Sequence, residues 1–322
     1  MKTSRRLTKW VAASPVAVLF LLSPLYGELL SSSSPLPGFL LAWLPLAALY
    51  GAGALLIREA AVRWRCGWLG IFLLGAAYGI IEEGIVVRSF FDPGWEDLGL
   101  LAEYGRSGGV NWVWTILLTI FHSAVSIAGA IATVEIAFPE RRHQPWLGNR
   151  GLALAAAGVG GWVILGDAAF MDATGGQLAA AAAVVGILVA AARHLSVPTR
   201  ERARDLPAPH RFFWLSFITS AIVFLFPHAA AEAGSPPPQV SIAVMFAAVA
   251  VAALLFWRWT GGAPTTDLHR SRLVGGMLVF LGALVVVTGP APIVIATSLA
   301  SIALIWRMMR RVGQGTPEVV GS

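Results

Sequence analysis

Long apolar stretches alternate along the chain with short polar or basic connections. Ten of them approach the ~20 residues a helix needs to cross ~30 Å of hydrocarbon. They run 10–29, 39–57, 68–87, 112–137, 151–170, 178–192, 212–228, 240–257, 273–288 and 293–306. The sixth and tenth are short, and only Thr288-Gly289-Pro290-Ala291-Pro292 separates the last two. No internal period of 20–50 residues is visible, and the first five stretches look unlike the second five. The pattern predicts an all-α polytopic transmembrane helix bundle of about ten spans, a single integral membrane domain over 1–322.

Basic residues test that count independently. With the N-terminus inside, 21 of the 23 Lys and Arg fall on inside segments, leaving only Arg88 and Arg106 outside. The positive-inside rule therefore predicts both termini cytoplasmic, in a multi-pass protein of the plasma membrane. Composition agrees: 12% of residues are charged and 57% apolar, and the mean hydropathy is +0.73. A soluble chain of this length could not hide so much apolar surface. The net charge of +6 then reads as a topology signal and not as a nucleic-acid footprint. Membrane lipid is the expected surrounding. A single cysteine, Cys66, excludes an internal disulfide framework and any multi-cysteine zinc or iron–sulfur site. Neither a P-loop nor a Gly-rich dinucleotide turn is present. The first stretch has the basic and apolar regions of a signal peptide, but Tyr26-Gly27-Glu28 follows in place of a small-x-small site, so an uncleaved anchor is expected. The Pro-interrupted segment 193–211 reads as a basic cytoplasmic connector, and Trp10, Trp64, Trp68, Trp257, Trp259 and Trp306 fit an interfacial belt.

Ionisable residues at membrane depth are expensive and mark candidate sites. Glu82 and Glu83 are adjacent near the end of the third stretch, before apolar Ile85-Val86-Val87. Two neighbouring carboxylates repel each other, which suits one of them to hold a proton as a general acid or base. Gly75 and Gly79 share a face with Glu83 and would let another helix come close. The fourth stretch carries Thr115, Thr119, His122, Ser126, Gly129 and Thr133 at spacings of 4, 3, 4, 3 and 4, a small polar face aimed at a partner helix or cavity. In the seventh, His228 follows Pro227 and lies one turn from Glu232. Counted from the outer ends, Glu82, Glu83, His122 and His228 share a depth. They form a set compatible with water activation by carboxylates alone or with a divalent metal such as zinc held by His122, His228 and Glu83. The aromatic and acidic segment 89–111 is expected on the outer surface, either as a lid over this cluster or as an ordinary amphipathic loop, with Asn111 placed to cap the fourth helix. Each feature also has a plainer reading: a helix that ends before a wet Glu82–Glu83 pair, or a histidine bonded across two helices.

These residues resemble the motifs of the CAAX-protease and bacteriocin-processing family of intramembrane proteases. Glu82 and Glu83 match its paired glutamates, His122 its first histidine and His228 its second, while Arg88 stands one residue late, Leu118 replaces a Phe and Glu232 an Asn or Asp. The resemblance implies a helical endopeptidase whose carboxylates activate water against a membrane-associated peptide, with Arg88 and Glu232 in support; Asn111 and Ser126 are supporting candidates by their positions in the chain. The chain also resembles uncharacterised prokaryotic multi-pass proteins with a Glu-Glu-Gly stretch. The alternative class is a ten-span secondary transporter, its five-plus-five helices forming inverted repeats and its Glu and His residues a proton relay.

Overall fold

Ten helices follow one another in the computed structural model, which describes residues 14–31, 33–34, 36–171, 173–195, 205–288 and 292–315. They are α1 (Pro15–Leu29), α2 (Leu36–Trp64), α3 (Gly67–Val86), α4 (Trp112–Ala137), α5 (Asn149–Ala169), α6 (Gly175–His194), α7 (Pro209–Ala233), α8 (Pro238–Thr260), α9 (Asp267–Thr288) and α10 (Pro292–Val312). The nine from α2 onward are long and apolar enough to cross a membrane; α1 is shorter within the described residues. Residues 1–13, the stretch 196–204 of the connector 193–211 and the turn 289–291 lie outside them.

The helices form a core and a shell. About two thirds of the apolar stretch is buried in α3 and α4, and 56% in α2 and α9, against 11% in α5, α6 and α8. Apolar side chains on the shell helices, such as Leu154, Ile187 and Leu254, are exposed on all sides. In lipid such surface needs no partner, because hydrocarbon solvates it as well as protein does.

One difference from the apolar pattern bears on buried charge: α2 runs seven residues past the expected end at 57. Arg58 and Glu59 read as loop residues but stay helical and are wholly buried. Their charges are met by the α4–α5 connection. Arg58 donates to the carbonyl oxygens of Arg141 (3.1 Å), Arg142 (2.6 Å) and Gln144 (2.6 Å) and to Glu59 (3.0 Å). Its guanidinium lies 3.7 Å from the centre of the Trp146 ring. Glu59 accepts the Trp146 backbone N–H at 2.6 Å, and Arg142 joins Asp267 of α9 at 2.5 Å. A buried charge survives at a helix end when the donors and acceptors around it are filled in this way.

Gly75 and Gly79 do what their spacing implies. A Cβ at Gly75 would stand 2.9 Å from Ser123 Cα, and one at Gly79 3.0 Å from His122 Cβ. The approaching helix is α4, and glycine is what lets His122 reach α3. The polar face of α4 meets α1: Ser23 Oγ donates to the Ser126 carbonyl (2.8 Å), and the Tyr26 and Thr133 hydroxyls are 3.0 Å apart.

The α3–α4 connection folds back over the bundle. A 3₁₀ turn at Glu96–Leu101 leads to a two-stranded antiparallel hairpin, β1 (Arg106–Ser107) and β2 (Val110–Asn111). Phe90, Phe91, Leu98 and Leu101 bury beneath it. Arg106 ties the carbonyls of Phe91, Asp92 and Ala102 together, and Tyr104 hydrogen-bonds the Pro236 carbonyl (2.7 Å) between α7 and α8.

Candidate functional site

Four helices change pitch at one place. Wider π-helical turns replace α-helix at Leu25–Leu29 in α1, Ala47–Gly51 in α2, Ile81–Val86 in α3 and His122–Gly129 in α4. Among the described residues these are the only π-helical segments. Each one carries a polar side chain of a single cluster: Glu28, Tyr50, the Glu82–Glu83 pair, and His122 with Ser126. A π turn inserts a residue, loosens the backbone ladder and redirects the side chains on it, which is why such turns gather at functional positions.

Glu82 and Glu83 are 4% and 7% exposed and His122 1%, so the helix does not end before a wet acid pair. His122 Nε2 lies 2.9 Å from Glu83 Oε1 and 2.8 Å from Glu82 Oε2. The first contact is a hydrogen bond; the second lacks that geometry, and Glu82 Oε2 has no hydrogen-bond partner. The other carboxylate oxygens are held by hydroxyls: Tyr50 donates to Glu82 Oε1 (2.7 Å), and Ser89 donates to Glu83 Oε2. Trp114 Nε1 in turn donates to Ser89 (3.0 Å), and Ser126 Oγ meets His122 Nδ1 at 3.2 Å. The rings of Tyr50, Tyr78 and Phe121 enclose the imidazole at 5.9, 6.2 and 5.1 Å between centroids.

Glu28 extends the network. It lies 2.7 Å from the Tyr50 hydroxyl and accepts from Ser34 at 2.6 Å. One phenolic proton cannot serve two carboxylate oxygens, so both Tyr50 contacts are hydrogen bonds only when one of the carboxyls supplies a second proton. Three carboxyls and one imidazole thus share a continuous path: Ser34, Glu28, Tyr50, Glu82, His122, Glu83, Ser89. Glu28 is the partly exposed member, beside Ser31, Ser33 and Ser34 in the α1–α2 connection. Among the described residues, Glu82, Glu83 and His122 are the one group of three His, Cys, Asp or Glu whose ligand atoms all lie within 4.8 Å of one another.

The remaining candidates sit elsewhere. His228 does not join the group; its Nδ1 lies 2.7 Å from the Phe224 carbonyl one turn back on its own helix, and its neighbour Glu232 is exposed. Equal depth did not bring it in, because α7 meets the site through Phe224 against Phe121, at 6.0 Å, and not through its histidine. Arg88 pairs with Asp167 of α5 (2.6 Å) from a left-handed backbone position (φ 61°). Asn111 caps α4, accepting the Trp114 N–H at 3.0 Å and donating to the Leu101 carbonyl.

A family model described as an uncharacterized membrane protein family matches residues 17–202, more than half of the chain. The chain belongs to that family. It is a membrane protein on this ground as well as on its helices. The match is not to the CAAX-protease family, and no curated protein or solved structure matches the chain. The matched stretch holds every residue of the cluster, whereas His228 and Glu232 lie beyond it.

The sequence reading missed Glu28, Tyr50 and Ser89. Glu28 had been weighed only as part of a missing cleavage site. The available signal was an acid at the end of an apolar run, which membrane cost alone marks as unusual.

Proposed function

We propose that the protein is an intramembrane hydrolase in which Glu82, Glu83 and His122 activate water against a membrane-associated peptide. The observation that carries this reading is the path from Ser34 to Ser89, made of hydrogen bonds and the one 2.8 Å contact between Glu82 and His122. It dips to Tyr50 in the middle of α2 and returns. Helices that each cross once put the α1–α2 and α3–α4 connections on the same side of the membrane, so the path begins and ends on that side. A proton moved along it reaches the interior and comes back. That serves local acid–base chemistry and gives no route across, which counts against the transporter reading.

In the reaction, water adds its oxygen to the carbonyl carbon while one of the paired carboxylates takes the water proton. The imidazole, fixed by Ser126, donates toward the oxyanion. The proton returns to the leaving amine as the C–N bond breaks. Glu28 and Tyr50 exchange protons between this interior site and the serine-lined connection. The distribution of 21 of 23 Lys and Arg supports both termini in the cytoplasm and a site that opens away from it.

The test is hydrolysis of a library of membrane-anchored peptides by the purified protein in liposomes, run in heavy-oxygen water. The wild type should place heavy oxygen in a new C-terminal carboxylate, and Glu83→Gln should not. Equal product from the two overturns the assignment.

A further inference from the structure

We propose that Glu82, Glu83 and His122 bind one divalent cation of the zinc class, each giving one ligand atom. This rests on the site of the hydrolase reading but needs no substrate to test.

Three observations converge. First, the side chains are divided into inner and outer atoms. Glu82 gives Oε1 to Tyr50 and keeps Oε2; Glu83 gives Oε2 to Ser89 and keeps Oε1; His122 gives Nδ1 to Ser126 and keeps Nε2. Every outer atom is held by a hydroxyl and every inner atom faces the other two. Partners of this kind orient metal ligands, and an Nδ1–H donated to Ser126 leaves the Nε2 lone pair inward. Second, one hydrogen shared with Nε2 can bond only one of the two carboxylate oxygens that lie 2.8 and 2.9 Å from it, whereas a cation among the three atoms would meet both. Third, Glu82 Oε2 is buried without a hydrogen bond although it is aimed at Nε2. An orphaned buried carboxylate oxygen is costly, and a cation satisfies it.

Ligand chemistry sets the class. One imidazole and two carboxylates suit a borderline cation better than calcium or magnesium, which take oxygen ligands. Ligands of a tetrahedral zinc stand ~3.3 Å apart, so binding moves His122 Nε2 and the two carboxylate oxygens, now 2.8 and 2.9 Å from it, apart by about half an ångström. The π-helical turns that carry the acids and the histidine can yield by that much. Three protein ligands leave a fourth position for water, the open coordination of catalytic zinc. With the acid pair engaged as ligands, the proton acceptor becomes Glu28, through Tyr50.

The experiment is metal analysis of the full chain in detergent after chelation and re-exposure to zinc alone or cobalt alone. About one zinc per chain is expected, as for a single three-ligand site. Cobalt should give the visible absorption of a tetrahedral centre, and zinc should raise the thermal midpoint. Glu82→Gln and His122→Asn should lose all three signals, and exposed His143→Asn should keep them. Ser89→Ala, which leaves the ligands in place, should weaken zinc affinity about tenfold or more. Should either ligand variant fail to fold, the cobalt spectrum of the wild type and the Ser89→Ala affinity decide alone. Absence of zinc from folded wild type, or equal zinc in the ligand variants, overturns the proposal. The two readings fail separately: hydrolysis without bound metal removes the metal and keeps the enzyme, and tight zinc binding without hydrolysis does the reverse.

Discussion

Two clusters of charge are buried in this bundle, and they are built on opposite plans. At the end of α2, the cations Arg58 and Arg142 are matched with Glu59, Glu135 and Asp267, and their Nη donors also reach backbone carbonyls at the end of α4 and in the α4–α5 connection. At the π-helical turns, Glu82 and Glu83 share a single imidazole, Glu28 joins them through Tyr50, and the helices leave regular α-geometry to bring them together. The first plan fastens a loop to a helix end. The second leaves like charges beside one another around one imidazole, which a fold selected for stability alone would avoid. Buried charge by itself therefore does not mark a site. What separates the two is whether the charges cancel.

That contrast predicts opposite responses to mutation. The largest effect should come from Arg58→Ala, which removes the buried cation from beside Glu59 and Glu135 and takes the guanidinium donor from the carbonyls of Arg142 and Gln144. A loss of about 3–5 kcal/mol is expected, seen as a collapse of the folded fraction in size-exclusion and thermal unfolding, with little relief from Arg58→Lys because the planar fork is lost. If Arg58→Ala folds as well as wild type, the fastening role is wrong. Next, Glu83→Gln should leave stability within about 1 kcal/mol, since it removes a repulsion along with a hydrogen bond, while peptide hydrolysis falls more than about 100-fold. A large destabilisation would mean that the Glu82–Glu83–His122 cluster is structural too. Tyr50→Phe should fold and retain the acid pair but slow the reaction about tenfold, the value of a hydrogen bond to a charged group. An unchanged rate would cut Glu28 out of the path. The smallest effect concerns Cys66, in the turn between α2 and α3. Burial pushes its thiol pKa up, so the reactive thiolate is scarce at neutral pH and gains population only as pH rises toward that value. Maleimide labelling should be slow in the wild type, faster at higher pH, and faster at any pH in Arg58→Ala. Equal rates in the two proteins would show that this end stays closed without Arg58.

Much of the architecture was legible because lipid imposes it. The helix positions from α2 to α9 follow the apolar stretches within a few residues, except where Arg58 and Glu59 extend α2. The close approach at Gly75 and Gly79 and the capping by Asn111 follow from local chemistry. The site was legible in part. Glu82, Glu83 and His122 could be picked out because ionisable groups at membrane depth are rare, and they meet. His228 satisfied the same criterion and does not join them, and Glu28 and Tyr50 belong without having been chosen.

The amino-acid sequence by itself determined that this chain lives in a membrane, where most of its helices run, and which residues are too costly there to be incidental. Hydrophobic transfer is read residue by residue, and length against bilayer thickness is simple counting. Only the tertiary structure decided which of the costly residues face one another. Side-chain direction on a regular helix follows its 3.6-residue period, but each of the four contributing helices leaves that period at the site. Pairing across α1, α2, α3 and α4 also depends on how their backbones pack, and no spacing within one helix records that.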